Sequence, residues 1–345
     1  MLTIEQQAVH LQKVSRTFAL TIPLLPMPLA DWVGNAYLLC RIVDTIEDDA
    51  DLSIDLKQKH ILSYLAALAG EIDSIAWSQG LHSLLSASTS EGERSLIADI
   101  PAVLGRLASF PDAVRDILIR GVGIMSQGMA AQQECAVITQ AADLDRYCYS
   151  VAGVVGELLT ELFAVYSPLV VTVKSTLSPL AVSFGEGLQL TNILKDVWED
   201  ASRGVCWLPL CQSEAESFAA CSLSQQRHLL DVHLALAHGH LRDALTFTLQ
   251  LPKHEQGLRQ FCLWAIGMAL LTLRRIHTIP DFRHSSQVKI SRRQVKSVIV
   301  WSKILGRFDT PLELYFRWLG RGLPVRQRDV LELYRRVSAW NRNPF

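Results

Sequence analysis

Charge is scarce in this chain: only 19% of its 345 residues are charged, against 49% hydrophobic, and the mean hydropathy is +0.20. Such a sequence cannot stay solvated as a disordered chain and must bury a large interior. Glycine (19) and proline (13) are too few for a collagen-like or linker-dominated design. The seven cysteines are odd in number and include no Cys-x-x-Cys pair, which argues against a disulfide framework or a zinc ribbon. A reducing, cytosolic compartment is the simplest reading. No strictly apolar run reaches the roughly 18 residues a membrane span needs. The N-terminal Met1-Leu-Thr-Ile-Glu-Gln-Gln lacks the basic region and apolar core of a secretion signal. No Gly-x-Gly-x-x-Gly occurs, so a Rossmann site is excluded.

What charge there is lies unevenly. Residues 283–345 hold 14 Lys or Arg against 4 Asp or Glu, whereas residues 1–282 hold 19 against 30. A basic tail on an acidic body suits an anionic partner, or the tail packs on the body itself.

Almost the whole chain reads with helical period, in segments near 32–50, 54–70, 94–107, 111–134, 143–166, 178–201, 223–250, 255–277, 291–305 and 325–340. Most prolines fall between them, and the one strand-like stretch, 169–173, is too short to build a sheet. The expectation is an all-α protein with one large domain over 1–345.

Two of these helices carry acidic stripes. Tyr37, Arg41, Asp44, Glu47, Asp48 and Asp51 fall at spacings of three and four, with Leu38, Leu39, Ile42, Val43 and Ile46 between them. Gln189, Asn192, Asp196, Glu199 and Asp200 repeat the pattern, with Lys195 beside them. One such stripe is an ordinary solvated face. Two of them, near helix C-termini where the macrodipole disfavours anions, make sense if a multivalent cation sits between them. Carboxylates without His or Cys suit a hard cation, and Mg²⁺ in particular leaves positions for phosphate oxygens. A diphosphate substrate follows, with Arg41, Lys195 and Arg16 available for its remaining charge.

On these residues the chain resembles the squalene/phytoene synthase family of head-to-head prenyl transferases. Asp44-Thr-Ile-Glu47-Asp48-Asp49 resembles the family's first aspartate-rich motif, and Asn192-Ile-Leu-Lys195-Asp196-Val-Trp-Glu199-Asp200 its second. Ser15-Arg16-Thr17-Phe18 resembles its N-terminal Ser-Arg-x-Phe signature, and Tyr147-Cys148-Tyr-Ser-Val151-Ala152-Gly153-Val-Val-Gly156 the segment with the catalytic tyrosine. The resemblance implies an isoprenoid-synthase fold with a central active-site cavity. It also implies metal ligation by Asp44, Glu47, Asp48, Asp196, Glu199 and Asp200, with substrate contacts from Ser15, Arg16, Phe18, Tyr37, Arg41, Gln189, Asn192 and Lys195. Tyr147 would handle the proton or stabilise a cation.

Within the family, Phe261-Cys262, Met268-Ala269 and Thr272-Leu273 resemble a signature of the NADPH-reducing branch. Val288-Lys289-Ile290 resembles a segment implicated there in NADPH binding, although Ser291 stands where that branch has Arg, with Arg292 and Arg293 following. The implied reaction joins two farnesyl diphosphates to presqualene diphosphate and reduces it to squalene, with Lys289 and Arg292 contacting NADPH. The alternatives are a non-reductive member, making presqualene diphosphate, dehydrosqualene or phytoene, or a catalytically inactive helical assembly protein. A cytoplasmic location, peripheral at the inner face of the cell membrane, goes with a tail in which Arg317, Trp318, Arg321, Arg335, Arg336 and Trp340 mix charge with aromatics. Interleaved nucleic-acid motifs are lacking, so no nucleic-acid partner is expected.

Overall fold

The computed structural model describes residues 1–15, 17–133, 138–210 and 217–342. Among them every regular element is helical: α1 (Ile4–Val14), α2 (Phe18–Thr21), α3 (Leu29–Asp48), α4 (Ile54–Leu68), α5 (Ser74–Leu84), α6 (Glu91–Ala98), α7 (Ile100–Leu107), α8 (Asp112–Gln133), α9 (Ala141–Cys148), α10 (Val154–Tyr166), α11 (Pro168–Ser202), α12 (Leu223–Gln250), α13 (Gln256–Thr278), α14 (Arg292–Leu305), α15 (Asp309–Leu319) and α16 (Val330–Val337). The all-α expectation is met. Several starts are set by local chemistry that hydrophobic period does not register. Thr3 with Gln6, Ser90 with Glu93 and Ser222 with Gln225 each close a capping box, opening α1, α6 and α12. The stretch 169–173 is no strand but the first turns of α11, because Pro168 is well suited to the first position of a helix. Asp51 lies beyond the end of α3 and so drops out of the first stripe.

The chain divides into two compact units. The first comprises Met1–Glu134, Glu161–Pro168 and Ala339–Phe345; the second comprises Cys135–Thr160 and Leu169–Ser338. In the first, α3 is the central helix, with Leu38, Leu39, Ile42, Val43 and Ile46 fully buried and α1, α7 and α8 against it. The Tyr64 hydroxyl donates to the Leu39 carbonyl at 2.9 Å, tying α4 to the same helix.

In the second unit, α10 crosses α11 at backbone distance. A Cβ on Gly156 would stand 2.1 Å from the Ala181 carbonyl oxygen, and one on Gly185 would stand 2.2 Å from that of Ala152. Gly156 thus lets the two backbones pack closely. Just before this crossing, Tyr149–Gly153 forms a π-helical turn between α9 and α10, an insertion often found beside functional sites. The helical run 141–166 is long and apolar enough to cross a membrane, yet half of that window is buried. Its Asp145 and Glu157 are held by side chains of the same unit, as in a core helix.

Candidate active site

The first acidic stripe closes α3. Its apolar face anchors the helix, leaving Tyr37, Arg41, Asp44 and Glu47 partly exposed and Asp48 exposed. Arg41 pairs with Asp44 at 3.7 Å and with Glu93 of α6. Burial pushes the Asp44 carboxyl up to about 7; Arg41 opposes this, while Asp48 and Glu93 add repulsion. The N-terminal signature meets this stripe. The Ser15 hydroxyl accepts the Phe18 N–H at 3.0 Å, and the rings of Phe18 and Tyr37 lie 5.1 Å apart. Ser15, Phe18, Tyr37, Arg41 and Asp44 thus share one neighbourhood, and Arg16 lies outside the described residues.

Asp49, which ends the same motif, has a different task. Its buried carboxylate accepts N–H groups of Asp51, Leu52 and Ser86 and the Thr89 hydroxyl, at 2.8–3.1 Å. Although burial works against ionisation, these four donors hold its carboxyl below the usual range. It fixes the turn after α3 and is not part of the stripe.

The second stripe ends α11. Leu190, Ile193, Leu194 and Val197 face the core, while Gln189, Lys195, Asp196 and Glu199 are half-buried and Asn192 is exposed. Lys195 lies 3.1 Å from Asp196, and Arg203 holds Asp200 at 2.5 Å. Burial raises the Asp196 carboxyl, against the pull of Lys195. Glu199 reaches a different segment: one oxygen accepts the Ser285 N–H at 2.8 Å, and the other is buried without a protein partner. Next to it, the Arg283 guanidinium sits 4.2 Å from the Trp198 ring centre. The segment leading into Val288–Arg292 is therefore fastened to the second stripe.

Tyr147 is buried near the end of α9, two residues before the π turn. Its ring lies flat on Trp207, with centroids 3.9 Å apart and planes 5° from parallel. Trp207 follows the second stripe by only seven residues, yet no periodic pattern marks it, because it stands on a loop. Asp145, on the same short helix, is clamped by Arg328 at 2.7 and 2.8 Å and by Arg336. The basic tail thus packs in part on the acidic body, and Arg336 is engaged there. Trp340 is buried.

Lys289 and Arg292 are exposed. Ser291 caps α14, accepting the Gln294 N–H at 3.2 Å while the Gln294 side chain accepts the Ser291 N–H at 2.8 Å. An Arg could not cap in this way, which gives Ser291 a structural role. Arg292 and Arg293 consequently occupy the first turn of α14, where the dipole disfavours cations and an incoming phosphate would relieve the repulsion.

Among the described residues no three His, Cys, Asp or Glu side chains converge as a ready-made metal cage. Mg²⁺ keeps several waters and shares its shell with substrate phosphate, so it does not require such a cage. The donor set fits as well: the stripes offer only hard oxygen ligands, Glu199 has an unpartnered buried oxygen, and Arg41 has an unpartnered buried Nε for a phosphate oxygen.

An all-α architecture with carboxylate stripes at the ends of two long helices, and cations beside each, defines a helical enzyme of the prenyl-transferase type. The squalene/phytoene synthase family matches residues 11–294, and the chain belongs to that family. It is 30% identical to the squalene synthase of Solanum lycopersicum, over 88% of this chain and 70% of that protein. With the squalene synthase of Saccharomyces cerevisiae it shares 28% identity over 95% of this chain and 73% of the relative. Among solved structures, a ligand complex of TcSQS superposes with a TM-score of 0.76 at 22% identity, covering 96% of each chain. A dehydrosqualene synthase complex gives a TM-score of 0.60 at 17% identity, covering 91% of this chain and 96% of the other. The fold is the squalene synthase fold.

Proposed function

We propose that this chain is a squalene synthase, condensing two farnesyl diphosphates to presqualene diphosphate and reducing that product with NADPH. The observation that carries the reading is the pair of partly buried carboxylate stripes, each with a basic side chain in contact. In Asp44 and Asp196, burial resists the charged form, so each gains from a bound cation.

When bound by Asp44, Glu47 and Asp48, and by Asp196, Glu199 and Asp200, Mg²⁺ would neutralise the departing diphosphate. The side chains of Arg41 and Lys195, with Arg16 of the Ser-Arg-x-Phe signature, hold diphosphate oxygens directly. Ser15, Phe18, Tyr37, Gln189 and Asn192 orient the substrate. The allylic cation must be kept from water until the second double bond attacks. Tyr147 offers its ring to positive charge and its hydroxyl to the proton released on ring closure. One face of that ring is already taken by Trp207, which fixes its plane.

The reductive branch is favoured by the fastening of Ser285 to Glu199, which brings the Val288–Arg292 segment to the second stripe. NADPH, contacted through its 2′-phosphate by Lys289 and Arg292, would supply the hydride. A cytoplasmic location, peripheral at the inner face of the cell membrane, accompanies this reading. The deciding experiment incubates the pure protein with farnesyl diphosphate and Mg²⁺, with and without NADPH, and identifies the lipids. Squalene formed only with NADPH is the expected result. The same products with and without NADPH select a non-reductive member, and no consumption of farnesyl diphosphate selects an assembly protein.

A further inference from the structure

The face of α14 and α15 that looks away from the core carries large apolar side chains that the described residues leave about half exposed. Val300, Trp301, Ile304, Phe308, Leu314 and Trp318 are each 46–60% exposed. The same two helices already have a buried face, formed by Val298, Leu312, Phe316 and Leu319, so the exposed strip is a second apolar surface. It is continuous across the helix pair, because Trp301 and Trp318 both lie 6.2 Å from the Tyr315 ring. A contiguous apolar surface of this kind marks an interaction site.

Its charge says what it meets. Residues 292–321 hold seven Lys or Arg and only two acids. Both acids are occupied: Asp309 by Lys253 at 2.7 Å and Arg259 at 2.8 Å, and Glu313 by Arg317 at 2.6 Å. Lys303 on α14, Arg307 in the connection to α15 and Arg321 in the turn after α15 are exposed. Cations of one sign repel a second copy of the same face. Tryptophans with lysine and arginine match the headgroup boundary of an anionic bilayer.

We propose that the exposed strip of α14 and α15 docks the protein onto anionic membrane surfaces. It keeps Arg317, Trp318 and Arg321 of the tail but replaces its far end, where Arg336 is paired and Trp340 is buried. The strip seats Trp301 and Trp318 in the headgroup layer while the neighbouring cations face acidic lipid.

The test uses the full chain without prenyl substrate, so its result is independent of the reaction assigned above. Vesicles of zwitterionic lipid, with and without an anionic lipid, are floated with the protein while tryptophan emission is recorded. Binding to anionic vesicles should exceed binding to neutral ones about tenfold or more, weaken with added salt, and shift emission to the blue. Ile304→Ser with Trp318→Ser should weaken binding about tenfold or more, as should Lys303→Glu with Arg307→Glu. Leu223→Ser, an equally exposed apolar site on α12, serves as the control and should bind like wild type. Unchanged melting temperatures show that the variants are folded. Binding that ignores anionic lipid, or that survives both double substitutions, overturns the proposal. So does self-association that disappears with Ile304→Ser and Trp318→Ser, since the occupant would then be a second copy.

Discussion

Asp44 combines two pressures: burial that resists its charge and a role that needs it. Its carboxyl is pushed to about 7, well above the unfolded value, so the folded chain holds the proton more tightly. That contribution is complete below the unfolded value and is lost as pH rises through about 7. Asp44→Asn cannot ionise. In chelator, the variant should therefore melt a few degrees above wild type near pH 8, with a gain of about 1–3 kcal/mol, and show no gain near pH 4. Its turnover with Mg²⁺ should nonetheless fall by about a thousandfold or more, as should that of Asp196→Asn. Wild-type turnover in either variant would remove the metal role. Both residues were legible in the sequence, since stripe and spacing suffice to find them. Spacing alone left Asp49 out of the stripe, but its turn-fixing task was not legible, because its donors Ser86 and Thr89 lie far along the chain. Trp207 was not legible either. Its stack on Tyr147 predicts that Trp207→Ala lowers kcat by about tenfold or more with little change in KM, while Trp207→Phe restores most of it. Equal losses in both variants would mean that the indole acts by itself, not through the ring it supports.

At the level of helices, period located most of the chain but not the joints. Capping boxes at Thr3, Ser90 and Ser222 carried the missing information for α1, α6 and α12. No local pattern tells that Arg328 and Arg336 cross 183 and 191 residues to reach Asp145. Composition left two fates open for the basic tail, packing on the body or meeting an anionic partner; the segment around α16 packs on α9 as a strap, while α14 and α15 keep exposed apolar and basic side chains. Through the strap, Asp145 would act as a positioning residue for Tyr147, which lies on the same short helix. Asp145→Asn leaves two arginines without their carboxylate partner and should cost about 3 kcal/mol, typical of removing one side of a buried ion pair. Chemical denaturation measures that loss. If the strap positions the tyrosine, the variant should also lose kcat well below its melting temperature, whereas a purely structural role would leave kcat intact there.

The proposed reading puts two chemistries on different segments of the molecule, which the motifs give as a list and which the Ser285 N–H bond to Glu199 links. The absence of a Gly-rich linker suggested one domain, and one of the passages between its two compact units falls inside α10, between Thr160 and Glu161. In the proposed reading, condensation would rest on the two stripes and Tyr147, and reduction on Lys289 and Arg292. Those two cations are exposed, belong to neither stripe, and flank the Ser291 cap that starts α14. Each phosphate contact of this charged kind contributes about 1.5–3 kcal/mol, which is more than tenfold in affinity. Replacing Lys289 and Arg292 by Ala should therefore raise the NADPH concentration needed for half-maximal squalene formation by at least about a hundredfold. Farnesyl diphosphate consumption should continue, so presqualene diphosphate accumulates and can be followed by product chromatography. Glu199 supplies the contrast, because it lies in the second stripe and also holds the Ser285 N–H that fastens the reducing segment. Glu199→Gln keeps an acceptor for that N–H but removes a charge from the stripe, so it should weaken condensation and leave the NADPH requirement near that of wild type. If the Lys289 and Arg292 double variant makes squalene with unchanged NADPH dependence, the nucleotide is held elsewhere and the two chemistries are not divided along these segments.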